Sequence, residues 1–206
     1  VVIQRAGTRA LDRGVRTRDV FTAVETVAAT GTTPVVMTYW NLVDRYGIDA
    51  FARDLAAAGG AGLITPDLVP DEASDWFAAS DAHGLDRIFL VSPSSSDERI
   101  AATAAACRGW LYATAVMGVT GTREQSSSLA PDLVARIRAL SPQTLVGVGL
   151  GVSNGAQAAT VAGFADAVIV GSAFIKPMLA AEDSGDAGDL SGVRDVLADL
   201  VAGIRR

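Results

Sequence analysis

Six stretches of the chain are apolar almost without interruption and rich in β-branched residues: 34–39, 61–66, 87–92, 109–114, 144–149 and 167–171. Each is followed by a turn and then by a stretch whose apolar residues recur at helical spacing or that is rich in alanine. The pattern predicts helices over 17–30, 48–58, 71–83, 97–107, 130–140, 153–162 and 190–205. Punctuation agrees. Gly31, Gly59 and Gly84 sit where helices should stop, Pro131-Asp132 should open one helix, and Ser153 should cap another.

Strands that are apolar on both faces and alternate with helices form a parallel sheet covered on both sides. An open doubly wound sheet and a closed eight-stranded barrel both satisfy that pattern. A barrel takes about 250 residues, and six strands are two short of its eight. The chain opens on Val1-Val2-Ile3-Gln4 with no methionine. The expectation is an α/β fold, a (β/α)8 TIM barrel with about six of its eight units in this sequence. Residues 1–206 would form a single barrel domain whose N-terminal units are missing.

Half of the residues are hydrophobic, enough for one large core. The net charge is −6 and the 17 basic residues are scattered, so no basic face is available for nucleic acid. One cysteine, Cys107, permits no disulfide within the chain and suits a reducing, cytoplasmic setting; it reads as a small buried hydrophobe. No metal site is expected. No secretory signal opens the chain, since 1–18 is rich in arginine without an apolar centre. The uncharged stretch 143–165 is long enough to cross a bilayer, but Ser153, Asn154, Gln157, Thr160 and five glycines divide it into a short strand and an alanine-rich helix.

Two late stretches, L-V-G-V-G-L-G-V-S-N-G at 145–155 and V-I-V-G-S-A-F-I-K at 168–176, break from apolar strand into glycine and then serine. In barrels of this kind the loops after the last two strands and the N-terminus of a short extra helix hold a phosphate. Gly149, Gly151, Gly171 and Ser172 fall at those loops. Glycine lets a backbone N–H approach an anion, and Ser172 would cap a short helix over 173–179 whose dipole favours negative charge. The plain alternative is a pair of tight turns between packed elements.

Carboxylates suited to proton transfer are scarce. Asp67 follows a strand on the correct face but reads as a loop-capping residue. Glu25, Glu72 and Glu98 fall in helices, and His83, the single histidine, stands at a helix end where it offsets the dipole. The polar stretch T-G-T-R-E-Q-S-S-S at 120–128 reads as a lid loop. Tyr39 and Tyr112, at strand ends, are either core aromatics or pocket lining.

V-I-Q-R-A at 2–6 with R-A-L at 9–11, P-V-V-M-T-Y-W-N at 34–41, G-I-D-A-F at 47–51, P-D-L at 66–68, M-G-V-T-G-T-R at 117–123 and V-G-S-A at 170–173 together resemble tryptophan synthase α chains. The resemblance runs in consistent order along the whole chain. It implies a (β/α)8 barrel that cleaves indole-3-glycerol phosphate to indole and glyceraldehyde 3-phosphate, and an α2β2 complex with a tryptophan synthase β subunit. The pyridoxal phosphate would belong to that partner, with no cofactor in this chain. On the resemblance, Gly121, Gly151, Gly171 and Ser172 match the phosphate grip. Tyr39 and Tyr112 match pocket positions around the indole, and Thr120 matches a mobile-loop threonine that closes on the substrate and supports a catalytic aspartate. Asn41 and Asp67 match the partner-facing surface. Val69 stands where the family often has proline.

The resemblance also implies that the family's catalytic glutamate and aspartate lie upstream of the segment matching Val2-Ile3-Gln4. No catalytic residue is then expected within these 206 residues, and the chain as written would be inactive alone. Two other readings stay open. One is a different phosphate-binding barrel, an isomerase or epimerase, which would need its own acid and base. The other is a non-enzymatic fragment that binds a partner.

Overall fold

In the computed structural model, residues 2–114, 123–149 and 151–205 are described. Along the chain they form α1 (Val2–Asp12), α2 (Asp19–Ala28), β1 (Val35–Met37), α3 (Trp40–Tyr46), α4 (Ile48–Ala57), β2 (Gly62–Ile64), a 3₁₀ turn (Pro70–Glu72) and α5 (Ser74–Ala82). There follow β3 (Asp86–Ile88), β4 (Leu90–Val91), α6 (Asp97–Ala106), β5 (Leu111–Thr114), α7 (Arg123–Leu140) and β6 (Val146–Gly149). The chain ends with α8 (Gly155–Ala162), β7 (Ala167–Ile169), α9 (Ser172–Asp183) and α10 (Ser191–Ile204). Two compact units share them. One comprises Val15–Tyr112 and Ile137–Leu145; the other comprises Val1–Gly14, Ala113–Arg136 and Val146–Arg206.

In the first unit β1, β2 and β3 pair in parallel, with Met37, Ile64 and Ile88 aligned across the three strands. The middle strand is buried at all three positions, as a parallel strand covered on both faces must be. Val36 and Leu63 point into a core with Phe51, Leu55, Trp76, Leu85 and Phe89. Burying each such large side chain contributes about 1.5–3 kcal/mol. Phe21, Tyr46 and Phe51 meet edge-on or tilted with centroids 5.3–5.8 Å apart. The strand expected at 87–92 is two strands. Beyond β3 the chain changes partner: the carbonyl of buried Phe89 accepts from Tyr112 N–H of β5 at 3.0 Å. Behind it, Arg87 and Arg108 exchange backbone hydrogen bonds of 3.1 and 3.0 Å. Their like charges are offset by Asp81, which accepts from both guanidinium groups. Those two arginines, Arg87 foremost, hold the Asp81 carboxyl below its usual range.

In the second unit β6 and β7 pair in parallel, Gly147 with Ala167 and Gly149 with Ile169. α8 and α10 cross closely at two glycines, Gly155 and Gly203, and Asp199 Oδ2 of α10 accepts the Gly155 N–H at 2.7 Å. α1 has no buried residue. It is tied to α9 by ion pairs from Arg5 and Arg9 to Asp183 and from Arg9 to Glu182, at 2.5–2.7 Å, with Arg13 also on Glu182.

Gly31, Gly59 and Gly84 do end helices, with φ of +80°, +86° and +68°. Asn154 rather than Ser153 caps α8: its side chain accepts from Gln157 N–H at 2.9 Å, while Ser153 bonds the Gln157 side chain instead. α7 begins at Arg123, so Pro131 lies inside it rather than opening it. Arg123, Glu124 and Gln125 are good helix formers, and they extend the helix into the polar stretch expected to be a loop. Residues 123–128 are therefore helical, and 120–122 lie outside the described residues.

Candidate active site

The β6–β7 register decides how the glycine loops stand to each other. Gly149 and Ile169 form the last aligned pair of the ladder, and Gly151 and Gly171 each follow by two residues. The two loops thus leave the same end of adjacent parallel strands, which run about 4.8 Å apart. Gly151 has φ +67°, a conformation glycine adopts freely, and open space where a Cβ would be. Gly171 also faces open space and stands immediately before α9. Ser172 is the first residue of that helix rather than the residue before it, and it is exposed. No side chain caps α9; Phe174 N–H donates to the Gly171 carbonyl at 3.0 Å, and the N–H groups ahead of it, with the exposed Ser172 hydroxyl, stand where an anion could meet them. α9 runs to Asp183, past the 173–179 expected, and carries Pro177 within it.

Tyr39 follows β1 in extended backbone (φ −70°, ψ 144°), so its side chain shares the face of Met37, opposite Val36 in the helix-covered core. It is 65 % exposed and packs in no core of the described residues. Asn41 is exposed in the first turn of α3. Asp67, beyond β2, reaches the same place: its Oδ1 and Oδ2 accept the Trp40 N–H at 2.9 and 3.1 Å. Asp67 does cap, but it caps a helix 27 residues away rather than its own turn. α3 is too short for periodicity to show it, and no local motif in the sequence marks Trp40 or this bond.

Tyr112 lies within β5, half-buried, its ring stacked on Trp110 at 6.0 Å. Burial pushes its phenol pKa up, so the hydroxyl stays protonated and can donate. Thr120 and Gly121 lie outside the described residues. His83 ends α5 as expected and also meets a carboxylate, Asp49 Oδ1, at 3.0 Å from Nε2. Cys107 follows α6 half-buried, and burial raises its thiol pKa to about 11. Among the described residues no group of three His, Cys, Asp or Glu side chains could hold a metal, and no helix is long and apolar enough to cross a membrane.

The family model for the tryptophan synthase alpha chain matches residues 1–191. The chain belongs to the tryptophan synthase alpha chain family. It is 62 % identical over 204 residues to the tryptophan synthase alpha chain of Salinispora arenicola, covering 99 % of this chain and 75 % of that one. The alpha chain of Acidothermus cellulolyticus is 58 % identical over 205 residues, with 100 % and 75 % covered. Among solved structures, the tryptophan synthase of Mycobacterium tuberculosis in space group F222 superposes with a TM-score of 0.88 at 55 % identity, covering all of this chain and 75 % of that one.

Tryptophan synthase alpha chains are lyases of tryptophan biosynthesis, and the fold is their TIM barrel. The parallel α/β units are those of that barrel, and within the described residues the ring is not closed. Asp67 is the one carboxylate among the described residues in the three positions that follow the C-terminal end of any strand. Those ends are where this architecture carries its chemistry.

Proposed function

We propose that this chain supplies the phosphate grip and part of the pocket wall for the cleavage of indole-3-glycerol phosphate to indole and glyceraldehyde 3-phosphate. Gly151, Gly171 and Ser172, with Gly121, bind the phosphate. Tyr39 and Tyr112 line the indole pocket, and Thr120 closes over the substrate. The observation that carries the reading is the β6–β7 register, which brings the two glycine loops out in step beside the open N-terminus of α9. An anion bound there meets backbone donors and a helix dipole without needing a lysine or arginine.

The reaction needs a proton delivered to C3 of the indole and a base for the glycerol hydroxyl, each within hydrogen-bond reach. Asp67, the carboxylate best placed by sequence, has both oxygens on Trp40 N–H. The 206 residues by themselves are accordingly expected to release no indole. In the cell the chain works as one barrel domain, cytoplasmic, docked through Asn41 and Asp67 on a tryptophan synthase β subunit in an α2β2 assembly. That partner, not this chain, carries pyridoxal phosphate.

The test is Ser172→Asp in the complete chain as encoded. A carboxylate at that position repels the substrate's phosphate, so KM for indole-3-glycerol phosphate should rise at least 10-fold, on the order of 1.4 kcal/mol or more of like-charge repulsion at a partly desolvated site, with thermal stability unchanged. An unaltered KM refutes the phosphate assignment. Thr120→Val, which keeps shape and removes the hydroxyl, should lower turnover about 10–100-fold, the scale of groups that orient a catalytic residue.

A further inference from the structure

We propose that Asp67 is a positioning residue for the substrate pocket: by holding the Trp40 N–H from a neighbouring strand loop, it fixes where α3 begins and so where Tyr39 points. The proposal rests on the reading of Tyr39 as pocket lining.

The side chain of the residue before α3, Tyr39, makes no hydrogen bond to the helix. The cap is delivered instead across 27 residues of sequence by two carboxylate oxygens at 2.9 and 3.1 Å. A negative charge at a helix N-terminus is also favourable in itself. The indole of Trp40 is held separately, edge-on to fully buried Trp76 with centroids 6.2 Å apart. Trp40 is therefore fixed through both backbone and ring, while Tyr39 and Asn41 on either side of it are exposed. The backbone changes from extended at Tyr39 to helical at Trp40. Loss of the bond releases that change of direction, and Tyr39 no longer shares the face of Met37.

A side chain used in this way affects substrate binding more than turnover, and it acts through the oxygen acceptor rather than through a titrating proton. The experiment takes the complete chain as encoded, with and without the β subunit, and compares Asp67→Ala with Asp67→Asn, which retains one acceptor oxygen. In Asp67→Ala, amide exchange at Trp40 should speed up about 5–10-fold, the equilibrium worth of a helix cap. KM for indole-3-glycerol phosphate should rise by a similar factor, with or without the partner, and kcat should change by less than about twofold. Asp67→Asn should return both quantities most of the way to the parent values.

Three results overturn the proposal. Trp40 exchange unchanged in Asp67→Ala means that the bond does not hold α3. A rise in KM seen only with the β subunit present means that Asp67 acts through the docked surface alone and not through its bond to Trp40. A fall in kcat of about 100-fold in both variants, with KM unchanged, makes it an acid or base. If the parent chain releases no indole at all, the functional reading fails, and amide exchange at Trp40 still decides whether Asp67 holds it.

Discussion

The crossing of α8 and α10 allows one substitution to be tried in two helices with opposite results. A Cβ added to Gly203 would fall inside contact distance of the Gly155 carbonyl oxygen and 2.6 Å from Gly155 Cα, where ordinary contact begins at 3.4 Å. Backbone cannot rotate away as a side chain tip can, so Gly203→Ala must push the helices apart by at least about 0.8 Å. Overpacking of that kind costs about 1–3 kcal/mol. The movement also stretches the 2.7 Å hydrogen bond from Gly155 N–H to Asp199, and a bond to a charged group is worth about 1.5–3 kcal/mol. Alanine recovers about 1 kcal/mol of helix propensity. The net is a loss of about 2–4 kcal/mol. Gly7, inside α1, has no atom within 4 Å of an added Cβ, so Gly7→Ala should gain about 0.5–1 kcal/mol from propensity alone. Urea unfolding followed by circular dichroism separates the two. With a slope of about 2 kcal/mol/M, the Gly203→Ala midpoint should fall by about 1 M or more and the Gly7→Ala midpoint should rise by about 0.3 M. A Gly203→Ala midpoint at or above that of the parent refutes the account of the crossing.

The thiol of Cys107, raised to about 11 by burial, should be thiolate to only about one part in a thousand at pH 8. Its reaction with a disulfide reagent should then run about 100-fold slower than in the unfolded chain, and equal rates would show that the site is open to solvent. Asp81 is held below the usual carboxylate range by Arg87 and Arg108. Its contribution to stability is therefore complete above the unfolded value of about 3.9 and is lost as pH falls through the lower folded value. Asp81→Asn should lower the unfolding midpoint at neutral pH and match the parent near pH 2; a gap between the two that stays constant down to pH 2 contradicts the pairing.

The strand–helix alternation was legible because a strand buried on both faces has no polar positions to confuse its reading, and Gly62-Leu63-Ile64 is such a strand. The two glycine turns after β6 and β7 were legible because glycine following an apolar strand is a local signal, and the β6–β7 register brings Gly151 and Gly171 into step. What failed to show was non-local. The change of partner at Phe89 depends on β5, whose sequence lies twenty-odd residues downstream. The Asp67–Trp40 bond joins two loops that no periodicity connects. α1 was missed because it buries nothing and reads as an arginine-rich polar stretch. The start of α7 was misplaced because Pro131 commonly opens helices, and here the helix formers before it outweigh that preference.

The ion pairs between α1 and α9 have a consequence for how the polypeptide emerges from the ribosome. Their partners stand 173–178 positions apart, and at about 5–20 residues per second α1 waits on the order of 10–30 s for Glu182 and Asp183 to be made. A helix of 11 residues with no buried side chain cannot persist alone for that time. The stretch Val15–Tyr112, contiguous in sequence, has most of its unit at hand long before. The stretch between the two helices therefore condenses before α1 is captured on α9, and the ion pairs to Glu182 and Asp183 form only at that late step. Raising ionic strength should slow that final capture while leaving the earlier condensation untouched.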